Sequence, residues 1–355
     1  MMMKRFFNWI IVLSMIVSFS SCEDNKNVDN GGTTSDVTAT REPGSDSYTL
    51  KFSKSGDKTV YQGTSPESVD MDNAVAETNE DSVVISGLDT KQRYYFAVVF
   101  NSDPTDVSIV SETEIAVKGQ PNFADLGGII TVDGKSIKWG KIYRSGELST
   151  LTDDDVDYVA SLKLDAIIDF RFPAEKEEAP DRFPEGVDII PIPVADSSYN
   201  EDIIKKWLFA GNKEAFDTML IHVNRVLVTE EQENFKEFFD HLENGGTFLY
   251  HCTKGKDRAG FATAMFLSAL GVDRETVIDN YLKSNEYLSS VTEQTIQFVI
   301  SLKLDGELLR PILEVKPEYI QTAFDIIDNE YGGVENYLRN NLGVNIEKLK
   351  ELYLE

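Results

Sequence analysis

Cysteine, histidine and positive charge are all scarce in this chain of 355 residues. It has two cysteines and three histidines, and 34 Lys+Arg face 61 Asp+Glu, for a formal net charge of -27. Two cysteines exclude a disulfide framework. Three histidines leave few ways to build a histidine-rich metal site. The acidic balance argues against nonspecific binding to nucleic acid or anionic lipid, since both need positive charge. Long apolar runs are scarce too: after the N-terminal one, no stretch approaches a membrane span. What is present is 41% hydrophobic and 10% aromatic residues, enough to bury a core. The length predicts two globular units behind a leader.

Met1 to Arg5 is short and basic, Phe6 to Phe19 is apolar, and Ser20-Ser21-Cys22 follows. This order describes a secretory signal over 1–21, too short and interrupted for a comfortable membrane span. Small residues before Cys22 resemble the lipobox of bacterial lipoproteins. The resemblance implies cleavage before Cys22, acylation there, and a lipid tether without a spanning helix. It implies an outer-membrane lipoprotein, facing the periplasm or the cell surface. An ordinary signal peptide with an incidental cysteine is the plainer alternative. The polar segment 22–36 has too few apolar residues to fold and reads as a flexible tether.

Over 37–118 short β-forming runs alternate with turn residues. Tyr48–Phe52, Val83–Ile85 and Tyr94–Phe100 predict strands, and Glu112–Lys118 predicts the last one. The pattern predicts an all-β sandwich. Leu88 followed by Tyr94 resembles the tyrosine corner of fibronectin type III domains, which implies an immunoglobulin/fibronectin-like sandwich with the Tyr94 hydroxyl tied to backbone. With no cysteine or histidine here, the unit reads as a spacer or a surface for a protein partner.

From 119 to 355 the pattern becomes mixed α/β. Ile129–Val132 before Asp133-Gly134 predicts a strand and hairpin turn, and Thr152 predicts a cap for a helix over Asp153–Leu162. Asp153, Asp154 and Asp155 are acids that a first helical turn favours, so no cation site is inferred. Leu164–Phe170 and Asp188–Ile192 predict strands, the latter at an edge or ending early because of Pro191. Thr229 to Gln232 reads as a capping box before the helical run Phe235, Phe238, Phe239 and Leu242. The segment with Ile203, Ile204, Trp207, Leu208 and Phe209 is amphipathic, either a lid or core. His222 and His241 have no paired ligand spacing and read as structural.

Thr247–Tyr250 predicts a buried strand and Ala259–Ala269 a buried helix, with His251-Cys252-Thr253-Lys254-Gly255-Lys256-Asp257-Arg258 between them. A loop closing onto a helix start aims backbone N–H groups and the positive helix end at one point, which suits a phosphate-sized anion. The same field favours a thiolate at Cys252. Five residues between Cys252 and Arg258 let the backbone encircle a tetrahedral anion, with sulfur beneath and guanidinium beside it. Gly255 permits a backbone conformation closed to other residues. A buried inert thiol is the plain alternative. It fits poorly, because the six residues after Cys252 contain three cations and a glycine.

This loop resembles that of cysteine-dependent tyrosine phosphatases, and in particular the bacterial tyrosine phosphatase B type. Asn122–Gly128, Ile142–Leu148, Ile168–Arg171, Tyr281–Asn285 and Lys316–Tyr319 follow in that family's order. The resemblance implies an α/β cysteine-phosphatase domain, a central sheet flanked by helices, and needs no metal or cofactor. It implies Cys252 as nucleophile, Arg258 as phosphate clamp and His251 as support for the thiolate. Thr253, Lys254, Gly255 and Lys256 would bind substrate, Lys256 going with phosphoinositide activity. Asp257 is the implied general acid, and Asp196 is a second candidate. Two departures stand out: Ala259 replaces a hydroxyl residue, and Ala124 replaces arginine. The expected activity is hydrolysis of phosphotyrosine through a phosphocysteine. A dual-specificity or phosphoinositide phosphatase, or a low-turnover phospholigand-binding module, is the alternative.

Overall fold

The computed structural model describes residues 36–194 and 201–355. The leader, Cys22, the tether up to 35, and Asp196 lie outside the described residues, as do the side chains of Ile203 and Ile204. Among the described residues no helix is long and apolar enough to cross a membrane.

The first part of the chain is all β. Strands β1 (Val37–Thr40), β2 (Tyr48–Phe52) and β5 (Ser82–Ile85) form one antiparallel sheet; β3 (Lys58–Gly63), β4 (Ala76–Thr78), β6 (Tyr95–Phe100) and β7 (Val107–Val110) form another. Alternate residues of both sheets, among them Leu50, Phe52, Val60, Phe96 and Val98, meet in one core. The period-two alternation of Tyr48–Phe52 is what buries three of its five side chains. Asp89 N–H donates to the Tyr94 hydroxyl at 3.3 Å, the backbone tie expected of that tyrosine. The last strand is Val107–Val110, not Glu112–Lys118. Residues 112–118 make only single bridges, because Ile115, Ala116 and Val117 turn into a core shared with Phe123, Tyr143 and Leu148.

The second part centres on a five-stranded sheet in the order β11-β10-β12-β9-β8, with β8 Ala124–Asp125, β9 Ile142–Ser145, β10 Ala166–Asp169, β11 Asp188–Pro191 and β12 Phe248–His251. Strands β9 to β12 pair in parallel; β8 runs antiparallel at one edge, and β11 with Pro191 forms the other. The predicted strand Ile129–Val132 is reduced to a single bridge between Ile130 and Ser136. The Thr131 hydroxyl engages Asp133 and Lys135, and Val132 N–H goes to Gly271 O instead of a ladder.

Helices α1 (Asp153–Ala160), α2 (Pro173–Glu178), α3 (Glu201–Ala210), α4 (Lys213–Thr229), α5 (Gln232–Leu242), α6 (Arg258–Leu270), α7 (Arg274–Tyr287), α8 (Ser289–Ser301), α9 (Pro317–Glu330) and α10 (Ile346–Tyr353) surround the sheet. Thr152 caps α1 by accepting Asp155 N–H. The expected capping box at Thr229 does not form. Helix α4 continues through Thr229, whose hydroxyl donates to Arg225 O one turn back, so Glu231 precedes α5 instead. Helix α6 is buried nearly all round, and Gly271 ends it at φ 89°. Trp207 and Leu208 pack with Phe216, Val299 and Leu309, while Phe209 is exposed.

The two parts share a buried polar junction. Arg93 Nη1 donates to Asp125 Oδ2 at 2.7 Å and to the Tyr143 hydroxyl at 2.8 Å; Nη2 donates to Glu112 O at 2.7 Å. Glu112 accepts from the hydroxyls of Tyr48 at 2.9 Å and Tyr158 at 2.5 Å. The Arg93 side chain is 1% exposed and that of Asp125 is 0%. Deleting one partner of a buried pair of this kind costs about 3–5 kcal/mol, since a charge is stranded out of water.

Candidate active site

Cys252 follows the central strand β12 directly and is a free, buried thiol. The loop after it is shaped from outside. His251 O accepts Phe170 N–H at 2.9 Å, and Thr253 O accepts Glu147 N–H at 3.2 Å. Lys254 O accepts from the Asn122 side-chain amide at 2.8 Å. Across a trans peptide, C=O and the next N–H point in opposite directions. With the Thr253 and Lys254 carbonyls held by Glu147 and Asn122, the amides that follow them, of Lys254 and Gly255, face the other way. Gly255 has φ +73°, and a Cβ there would lie 2.5 Å from the Ser145 carbonyl, so this position requires glycine.

The dispersed motifs converge on this loop. Asn122 holds it from one side, and Ser145 and Glu147 hold it from the end of β9. Phe170 bonds to His251 and accepts Arg258 Nη1 at 3.3 Å. Tyr281 packs against Gly260. Asn285 grips Val315 in both directions, at 2.8 and 2.7 Å, beside Glu314 O. Arg144 is buried and bonds to Asn280 O at 3.3 Å and the Ser284 hydroxyl at 3.2 Å; burial pushes its pKa down.

Arg258 begins α6. Its guanidinium is gripped by a residue the sequence did not reveal: Nη1 lies 2.9 Å from Glu175 Oε2 and Nη2 2.7 Å from Oε1. Nη2 also donates to the Thr253 hydroxyl at 2.9 Å, and that hydroxyl bonds to Glu175. Pro173 at the start of α2 and Glu175 two positions on are legible as a helix start. Nothing local announces a partner 83 positions away. Burial opposes ionisation of Glu175, but the bonds from Arg258 and Thr253 hold its pKa down, to about 2 against an ordinary 4.5.

The sign of that linkage is definite. A depressed carboxyl stabilises the fold fully above its unfolded value, and the contribution fades as pH falls. The window runs from 4.5 down to about 2. Acidification through this range should lower the melting temperature of wild type more steeply than that of Glu175→Gln. Parallel curves in thermal melts would refute the role given to this pair.

Lys256 and Lys254 differ in setting. Lys256 is buried, with Nζ 2.9 Å from Asp257 Oδ2 and 3.4 Å from Glu314 O. Lys254 is partly buried, and desolvation lowers its pKa. Behind the loop, His251 Nε2 lies 3.3 Å from Asp181 Oδ2 and 3.7 Å from Asp169 Oδ1. These three residues are close enough to suit a metal ion. Arg171 supplies the positive charge there, bonding both Asp169 and Asp181 and donating to Ala179 O at 2.8 Å. Ala259 is wholly buried and brings no hydroxyl to the loop.

A free thiol in such a loop, at a helix start beside an arginine, can attack phosphorus and stabilise a phosphoryl group in flight. Comparison with known proteins agrees. A family model described as "Tyrosine phosphatase family" matches residues 115–355. A Cupriavidus necator protein that carries the name of a tyrosine-protein phosphatase by assignment is 31% identical over 251 residues, covering 71% of this chain and 92% of that protein. The triple specificity protein phosphatase PtpB of Mycobacterium tuberculosis is 28% identical, covering 62% of this chain and 91% of its own. The crystal structure of P. aeruginosa TpbA aligns at 15% identity and a TM-score of 0.23, over 46% of this chain and 89% of that one. The chain belongs to the tyrosine phosphatase family and is a cysteine-dependent protein-tyrosine phosphatase.

Proposed function

We propose that the chain is a lipid-anchored phosphatase that removes phosphate from protein phosphotyrosine. Cys252 attacks phosphorus in line, the loop amides and Arg258 take up the charge of the transferring group, and water then releases phosphate from sulfur. Positioning and charge stabilisation supply most of the acceleration. The observation that carries this reading is the loop at Cys252, whose carbonyls are tied outward at His251, Thr253 and Lys254. Asp257 is the proposed acid. It must leave its pair with Lys256 to carry a proton, and the arriving phosphate dianion is the group that draws the ammonium away. The lipobox-like Cys22 is the proposed anchor, at the outer membrane of a bacterium. The β unit is the proposed fibronectin type III-like domain over 37–118, and the phosphatase domain runs over 119–355. Lys254 and Lys256 also make phosphoinositides candidate substrates, a reading supported by a relative named for triple specificity.

Stopped-flow hydrolysis of an aryl phosphate with excess chelator tests the reading. The expected result is chelator-insensitive turnover with a burst of phenol equal to enzyme, because Ala259 offers no hydroxyl to speed the second step. No turnover would refute the enzyme reading, and turnover without a burst would place the slow step before the phosphocysteine.

A further inference from the structure

The matched family residues begin at 115, so the strands of the β unit, which end at Val110, lie outside them. Yet Arg93, which the β unit supplies, is buried against two strands that brace the loop at Cys252. Its Nη1 donates to Asp125 in β8 and to Tyr143 in β9. Three residues before Asp125, Asn122 holds Lys254 O. Two residues after Tyr143, Ser145 closes over Gly255, and Glu147 N–H holds Thr253 O. Asp125 is itself set by Gly127 N–H at 2.8 Å and Gly140 N–H at 2.9 Å. One guanidinium thus joins the two buttresses from behind. Further contacts weld the units: Trp139 packs in the core of the β unit, and Arg93 N–H meets the Ser161 hydroxyl at 3.0 Å at the end of α1.

We propose that Arg93 is a positioning residue for the phosphate loop and that the β unit is a structural part of the catalytic body, not a spacer. The inference rests on the phosphatase reading of the loop. Asp125 and Tyr143 face each other in the β8–β9 pair, so removing Arg93 leaves Asp125 buried without its cation and takes away the bond that fixes this pair against the β unit. A loop displaced by a fraction of an ångström binds a tetrahedral anion less well and reacts more slowly.

The test uses the full chain. Arg93→Met is compared with wild type and with Lys91→Ala, which removes only exposed ion pairs between the same units, to Asp157 and Asp154. Orthovanadate affinity and kcat are measured at a temperature where circular dichroism shows each protein folded. The expected result is a loss on the order of 10- to 100-fold in both quantities for Arg93→Met, and none for Lys91→Ala. If Arg93→Met does not fold, Tyr143→Phe removes one bond to Arg93 and should lower both quantities by less. A purely structural role would lower the melting temperature and leave vanadate affinity of the folded protein unchanged, which overturns the proposal. Wild type that neither binds vanadate nor turns over would instead refute the phosphatase reading itself, and this inference with it.

Discussion

Cys252→Ser is expected to lose turnover by on the order of 10⁴-fold or more while still binding a phosphotyrosine peptide. The asymmetry follows from what the loop supplies. Loop amides, the helix start and Arg258 form a field that favours an anion, and they remain when sulfur becomes oxygen. A thiol is by nature more acidic and more nucleophilic than a hydroxyl, so sulfur needs less help to attack. A serine hydroxyl needs a general base as well. His251 is the adjacent imidazole, but its Nδ1 lies 3.4 Å from the Cys252 carbonyl oxygen and its Nε2 faces Asp181 and Asp169. Neither nitrogen is placed to take a hydroxyl proton. Steady-state kinetics together with peptide binding by calorimetry separates the two effects. Turnover within tenfold of wild type would remove Cys252 from the chemistry.

The loop at Cys252 was legible because its signals are local. A short apolar run, a basic glycine-containing loop and a helix apolar on all faces lie next to one another, and each survives in the fold. One proline pointed to an edge or an early end for β11, which lies at the sheet edge and ends at Pro191, and the tyrosine-corner resemblance of Leu88 and Tyr94 implied the backbone tie. What escaped is long-range and polar. Arg93 reads as one more charge on a β surface, and only the fold brings it to Asp125, 32 positions away. Glu175 reads as a first-turn acid, yet it is the anion that Arg258 holds. The false capping box at Thr229 has the opposite cause: a local pattern was present, but α4 ran on through it and consumed the hydroxyl. Glu112–Lys118 failed as a strand for a related reason, since its apolar residues were claimed by the neighbouring core.

Asp257→Asn provides the second large effect, and its size should depend on the leaving group. Asp257 stands at the end of the loop, one residue before α6, with Lys256 Nζ 2.9 Å from Oδ2. If its proton goes to the departing oxygen, the loss is on the order of 10²- to 10⁴-fold for phenyl phosphate, whose phenolate is a poor leaving group. For 4-nitrophenyl phosphate, whose anion leaves unaided, little should be lost. Equal losses on both esters would make Asp257 a binding group that holds Lys256 in place. Full activity on phenyl phosphate would move the acid to another carboxylate, and Asp196 is then the residue to substitute.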